Sequence, residues 1–526
     1  MKKTLLLALS VVLAALALLL VFGKAKKEIL HSVEGDRIWQ HATGSPESGE
    51  EMTSVPEDGH IDAGFTSHLP ILLIDTDGSA ISDLRHDAEV SEASHYGDNL
   101  NPYTEMTLFV YDGEGTHTLS DAPDRTLSGK IKIRGGNSGD GKKQYRMKLL
   151  DTFGDGVKSP LLGMTAGDEW ILNGMDSDVT CLRSYLAYNL AGELSVNSPD
   201  VRYCELVLKD GDDYRYLGLY LLTEPVERGE GRVRLKGKKN LVGAYSYIVK
   251  RDKADSGSVV LSTWASQQEG ISGFIGETST ASSVLTLVYP KNEKVTTDAI
   301  SYITSDLSRI EQVLASDDIS TFASFSGMID TDSFIDYLIL NEFLLNRGAG
   351  TSSTYMYRDI GSKLTIGPVW GFNDIATHPE DLELLSMADA PLYEDLLKNR
   401  TFQDRLQKRY RSLRADTLSD ERVASLLQET QDYLGSALER DRSLRGVTEE
   451  EAGTAFDELT ERLRSRSTWL DAHMEDLWAM IVTDPTGTVR RAVTILLAAG
   501  FLLFAAALTY KLKIGRNLFR RRTEKA

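Results

Sequence analysis

The chain is 526 residues long, 26% charged and 41% hydrophobic, with a formal net charge of −20. This is the composition of a folded protein with room for a sizeable core. Its acidity disfavours nucleic acid or anionic lipid as a partner, and a basic protein, a basic polymer or divalent cations would suit such a surface better. No HExxH, G-x-S-x-G, GxxxxGK[ST] or CxxC pattern occurs, so zinc and serine-hydrolase chemistry are not indicated.

The first element is the uncharged stretch Thr4–Phe22, and a second such stretch, Ala492–Tyr510, lies near the other end. Each is long enough to cross ~30 Å of hydrocarbon as a helix. Lys2 and Lys3 precede the first, while Lys511, Lys513, Arg516, Arg520, Arg521, Arg522 and Lys525 follow the second. The positive-inside bias therefore predicts a cell-membrane protein with both termini cytoplasmic and the main domain extracytoplasmic. Lys24, Lys26, Lys27, Arg490 and Arg491 oppose this with a smaller charge. A cleaved signal peptide is the competing account of the first stretch. No small-x-small site follows Phe22 before the lysines, which favours a retained signal-anchor. Residues 1–27 thus read as cytoplasmic tip and signal-anchor helix, and 485–526 as a second transmembrane helix with a basic cytoplasmic tail.

Residues 28–67 include the Ser-, Gly-, Pro- and acid-rich run Thr43–Ala63 and read as a flexible acidic stalk. From 68 to 261 strand signals dominate, at Leu69–Asp75, Met106–Tyr111, Ser128–Arg134, Tyr145–Leu150, Arg202–Leu208, Tyr216–Glu224 and Ala244–Val249. One helix interrupts them, where Leu182, Tyr185, Leu186, Leu190 and Leu194 recur at a spacing that gives an apolar face to pack on the sheet. From 262 to 484 the period is mainly helical. A helix beginning near Ile329 is capped by Asp330 or Asp332; Thr401–Leu413, Asp420–Leu438 and a long last helix follow, and one strand-like pair, Ser353–Asp359 and Ser362–Trp370, interrupts them. A β-rich front and a helical back predict an α+β fold of two lobes with a cleft between them. Cys181 and Cys204 either pair or remain buried thiols. Asp75-Thr76-Asp77-Gly78 reads as a strand-ending turn and Asp330-Thr331-Asp332 as a helix N-cap, not as calcium loops.

Five blocks carry a resemblance: Lys130–Leu149, Leu161–Leu194, Tyr216–Leu235, Ile329–Asn346 and Ser353–Asp374. Taken in order, they resemble the CotH (spore coat protein H) kinase family, an atypical branch of the protein-kinase-like fold, over Leu69–Leu477. The RGGNSG turn, with Asn137 and Ser138, is able to bring backbone N–H groups to an anion. Lys142, Lys143, Arg146 and Lys148 concentrate positive charge, and strand alternation puts Tyr145 and Met147 on one face with Arg146 and Lys148 on the other. By itself Lys148 reads as a solvated strand-face lysine. The resemblance implies instead that it holds nucleotide phosphates, that Arg146, Asn137, Ser138 and Asn346 contribute to the same site, and that Glu224 stands at the link between lobes near an adenine. ATP with magnesium or manganese is the implied cofactor wherever nucleotide binding is kept. Glu193, Glu224 and Glu227 are the acids able to pair with a cleft lysine.

Two motifs depart from the family. Phosphoryl transfer needs one carboxylate to orient the attacking hydroxyl and another to hold the magnesium. Where family members show N-x-D-G, this chain reads Asn346-Arg347-Gly348-Ala349; where they show W-D-F-D, it reads Trp370-Gly371-Phe372-Asn373. Glycine has no ligand atom, and asparagine offers only a neutral oxygen. Asp374 recovers a role only through a one-residue shift, which in an extended segment turns its side chain to the opposite face. Asn373 and Asp374 are thus the remaining metal-ligand candidates, and Arg347 beside them would compete with a cation. The expectation is a pseudokinase that binds or scaffolds an envelope protein or wall polymer. The alternatives are an active Ser/Thr kinase of exported proteins and a structural envelope protein without nucleotide.

Overall fold

The computed structural model describes residues 37–44, 55–81, 102–134, 141–211, 213–237, 243–254, 258–268, 283–291 and 294–480. Thr4–Phe22 and Ala492–Tyr510 lie outside them, and among the described residues no helix is long and apolar enough to cross a membrane.

The front half is built from β1 (His60–Ile61), β2 (Thr66–Ser67), β3 (Ile71–Asp75), β4 (Thr104–Tyr111), β5 (His117–Thr118), β6 (Arg125–Arg134), β7 (Gln144–Leu149), β8 (Glu169–Asn173), β9 (Val201–Asp210) and β10 (Asp213–Thr223). Eight of these form one sheet in the order β1-β10-β8-β7-β6-β4-β3-β9. Because β9 pairs with β10 as well as with β3, seven strands close into a ring, and β1 adds to β10 from outside it. Closure removes free sheet edges. Alternate residues of each strand fill the interior, among them Leu72, Leu108, Ile131, Met147, Trp170, Leu206 and Leu222. The alternation expected along β7 holds: Tyr145 and Met147 point into this core, whereas Gln144, Arg146 and Lys148 are partly exposed.

The ring carries a bulge in β10 between Tyr216 and Gly218. Gly218 has φ +115, and a Cβ there would lie 2.4 Å from Asp441 Oδ1. Only glycine allows that backbone and that approach.

A second, antiparallel sheet runs β12 (Val284–Tyr289), β11 (Tyr247–Asp252), β13 (Thr354–Arg358), β14 (Thr365–Ile366). The strand expected over Ala244–Val249 is β11, and its partners are β12 and β13, not the front sheet. The helices are α1 (Arg183–Glu193), α2 (Thr297–Leu314), α3 (Thr331–Phe343), α4 (Arg400–Arg414), α5 (Asp420–Leu444, kinked at Gly435) and α6 (Glu449–Met480); α1 packs on β9, α5 on β10 and α3 on β14. The fold is thus mixed α+β, as expected. The apolar face read for α1 is in fact a whole circumference. Ten of its 11 residues are buried, as are 12 of the 13 in α3, so both are interior helices rather than surface ones.

The segment read as a stalk is partly folded. Arg37 donates from Nε to Asn189 Oδ1 (2.8 Å) and from Nη2 to the Pro199 carbonyl (2.7 Å). Trp39 Nε1 donates to Glu193 (2.7 Å), and Gln40 bonds both backbone groups of Tyr203 (2.6 and 3.1 Å). Composition hid this, because a few anchoring side chains suffice to dock a polar run. Cys181 and Cys204 are buried free thiols. Asp75–Gly78 is a turn in which Asp75 accepts the Asp77 N–H at 2.9 Å.

Charged side chains clamp α5 and α6 to the rest. Arg440 pairs with Glu205 at 2.6 Å, Asp441 with Lys142 at 2.5 Å and with Arg445 at 3.0 Å, and Arg466 with Glu342 at 2.6 Å. Lys142 is therefore a buried structural cation, not part of an exposed basic cluster.

Candidate functional site

A cleft of about 490 Å³ lies between the outer face of the ring and the helical half. Gln144, Ile171, Asn173 and Thr223 line it from the ring, with Arg134 at the end of β6. Asn346–Gly348, Ser352, Ser353, Trp370–Asp374 and His378 line it from the loops after α3 and β14. Both degenerate motifs thus meet here, 24 residues apart in sequence when counted from Asn346 to Trp370.

Asn373 sets the cleft's chemistry. Its side-chain oxygen accepts from Asn173 Nδ2 (2.8 Å) and from the Ser184 hydroxyl (2.6 Å), while its Nδ2 donates back to Asn173 Oδ1 (3.2 Å). Asn173 Oδ1 also accepts the Met175 N–H (3.0 Å). The two amides form a reciprocal pair that fixes both orientations, because a flip of either loses donors on every side. Asp374 is exposed and accepts from the Ser177 hydroxyl at 2.7 Å. Gly371 has φ +85, and a Cβ there would come 3.1 Å from that of Ser353. An acid at this position would be strained as well as crowded. At Gly348 the nearest obstacle is the Ser352 hydroxyl, 2.7 Å from a built Cβ. Asn346 donates to Asn341 Oδ1 (2.8 Å), and Arg347 pairs with Glu380 (3.3 Å) and Asp381 (3.4 Å). Arg134 lies 5.8 Å from the Trp370 ring centre, over its face.

These donors do not fit a catalytic magnesium site. Such an ion takes carboxylates and waters; the cleft wall offers one exposed carboxylate, Asp374, and an amide oxygen that already accepts twice. Among the described residues no group of three His, Cys, Asp or Glu side chains is placed to hold a metal ion.

The structure separates the other expected site residues. Lys148 and Arg146 do not line the cleft; on β7 that place belongs to Gln144, four residues along, so roughly 13 Å from Lys148. Both cations instead face Glu169 on β8, at 3.9 Å and 3.2 Å, and Lys291 joins them at 3.3 Å. Burial raises the Glu169 carboxyl, but the attraction of Arg146, Lys291 and Lys148 outweighs it and holds the group below its usual range. Sequence reasoning missed Glu169 because Glu169–Asn173, buried throughout, lacks the alternation that marks a strand. Of the three acids expected near a cleft lysine, Glu193 bonds Trp39 and Arg422, Glu227 pairs with Arg232, and Glu224 is buried behind the cleft wall. Glu224 accepts the Asp200 N–H (3.1 Å), and its other oxygen has no hydrogen-bond partner; Arg232 Nε is 3.9 Å away. Burial pushes its carboxyl up to about 7. Asn137 and Ser138 lie outside the described residues.

A ring of strands is thus joined to a helical half across a polar cleft. A family profile described as CotH kinase protein matches residues 131–470, well over half of the chain. The chain belongs to the CotH kinase family. No curated protein matches it.

Proposed function

We propose that this chain is a membrane-anchored, extracytoplasmic CotH-family pseudokinase that serves as a binding or scaffold module for an envelope protein or wall polymer. The observation that carries the reading is the Asn173–Asn373 pair. The position where the family places a metal-binding acid is here an amide whose hydrogen bonds are spent on the fold. Gly348 and Gly371 leave the two other acidic roles without a side chain, and among the described residues that line the cleft Asp374 is the one acid. Anchoring rests on Thr4–Phe22 and Ala492–Tyr510 and on the basic residues outside them.

The test is incubation of the purified full chain with labelled ATP and magnesium or manganese, with exported proteins offered as substrates. No transfer is expected. Transfer that Lys148→Ala or Asp374→Ala abolishes would overturn the reading in favour of an active kinase. Titration with ATP then distinguishes a pseudokinase that keeps a nucleotide from a structural protein that binds none. A reporter fused after Ala526 and active only outside the cytoplasm would overturn the orientation.

A further inference from the structure

We infer that one pole of the domain, the surface around Ile38 and the first turn of α5, rests against the lipid bilayer. This inference depends on the anchored reading above and adds to it a defined membrane-facing surface.

The incoming chain and the last helix, α6, both pack against the first turn of α5 at that pole. The incoming chain is fixed by Trp39, which donates to Glu193, and Glu193 also receives Arg422 at 2.8 Å. The outgoing helix α6 is fixed two residues away on the same turn of α5: Ser467 donates to Asp420 at 2.7 Å, and Arg414 bridges Asp420 (3.0 Å) and Asp471 (2.9 Å). Residues 37–39 and 467–471 are therefore neighbours across Asp420 and Arg422. Beyond them, only Gly23–Asp36 separates the domain from the first apolar stretch, and only Ile481–Arg491 separates α6 from the second. Each link is roughly a dozen residues, at most ~40–50 Å when fully extended. Two links leaving the same side of the domain restrict its turning more than a single link would.

The surface chemistry agrees. Ile38 is 56% exposed, one of the few large hydrophobic side chains left to solvent. Around it Arg414 and Arg422 pair with Glu193, Asp420 and Asp471, and Arg37 with Asp200, so most of the acids here are matched by an arginine; Glu421, on the same turn of α5, is exposed. The links add Lys24, Lys26 and Lys27 on one side and Arg490 and Arg491 on the other. These residues oppose the predicted orientation when counted as topology signals, but they suit the lipid headgroups beneath this pole. The far end of the ring is the β9–β10 turn. β9 starts beside Asp200, next to Arg37, and runs ten residues away from it, or ~30 Å.

The test uses the full chain reconstituted into phosphatidylcholine–phosphatidylglycerol vesicles containing headgroup-labelled quencher lipid. Ile38→Cys and Asp213→Cys each carry a thiol-coupled fluorophore. Native Cys181 and Cys204 are fully buried and should stay unlabelled, which the unsubstituted chain checks. Quenching at Ile38→Cys is expected to exceed that at Asp213→Cys at least threefold. Equal quenching, or stronger quenching at Asp213→Cys, in protein that floats with the vesicles overturns the inference and leaves the anchored reading intact. Protein that does not float with them overturns both.

Discussion

Glu224 gives the most quantitative test of the fold. It is 2% exposed, one of its oxygens has no hydrogen-bond partner, and burial raises its carboxyl from 4.5 to about 7. The charged groups facing it are Arg232, Asp200 and Arg37, and the attraction of the two arginines does not offset desolvation. Between pH 4.5 and 7 the folded state therefore keeps a proton that the unfolded state has released. The group's contribution to stability is fully present below about 4.5 and is lost as pH rises through about 7. The whole difference is worth roughly 3 kcal/mol. Glu224→Gln removes the titration while keeping the shape. Urea unfolding of the full chain in detergent, followed by the fluorescence of its six tryptophans, should show wild type and variant nearly equal at pH 4.5. At pH 8 the variant should be more stable by up to about 3 kcal/mol. A difference that stays constant from pH 4.5 to 8 would refute the placement of Glu224 in a dry site.

Three further outcomes follow from named contacts. Asn373→Asp keeps the two bonds the amide oxygen accepts but sets a carboxylate oxygen against Asn173 Oδ1, which cannot turn without losing Met175 N–H. It should cost about 1–3 kcal/mol, with no recovery on adding magnesium, in thermal unfolding with and without the metal. Glu342→Gln leaves Arg466, fully buried, without its carboxylate. A loss of about 3–5 kcal/mol in urea unfolding is expected, and a loss below 1 kcal/mol would mean that water reaches the pair. Gln40→Ala strands the buried backbone N–H and C=O of Tyr203. It should lower stability by about 1–3 kcal/mol, whereas a flexible stalk would register no change.

Strands such as β7 were legible because their residues alternate between the dry interior of the ring and a wetter outer face. Tyr145, Met147 and Leu149 alternate with Gln144, Arg146 and Lys148, and that period survives in any window of sequence. Closure of the ring was not legible, since it rests on β9 meeting both β3 and β10, and no local pattern reports a strand's second neighbour. The degenerate positions Gly348, Gly371 and Asn373, singled out by the order of motifs, all line the cleft. The partner that gives Asn373 its meaning lies 200 residues away and is an ordinary asparagine by composition. For Lys148, alternation fixes which face the residue is on, but not how far along that face the cleft begins. Arg37 and Gln40 were hidden inside a polar stretch, where three or four hydrogen bonds decide order and hydropathy does not.

The clamp between Glu205 and Arg440 also bears on how the chain is made. The carboxylate sits in a strand of the ring, and its cation follows 235 residues later. At translation rates of 5–20 residues per second that is a wait of roughly 10–50 s. Lys142 waits longer still, since its partner Asp441 is 299 residues on. Glu205 lies on the outer face of the ring, between Cys204 and Leu206, which point into the interior, so it faces solvent until α5 is made and becomes a buried ion pair only when that helix docks.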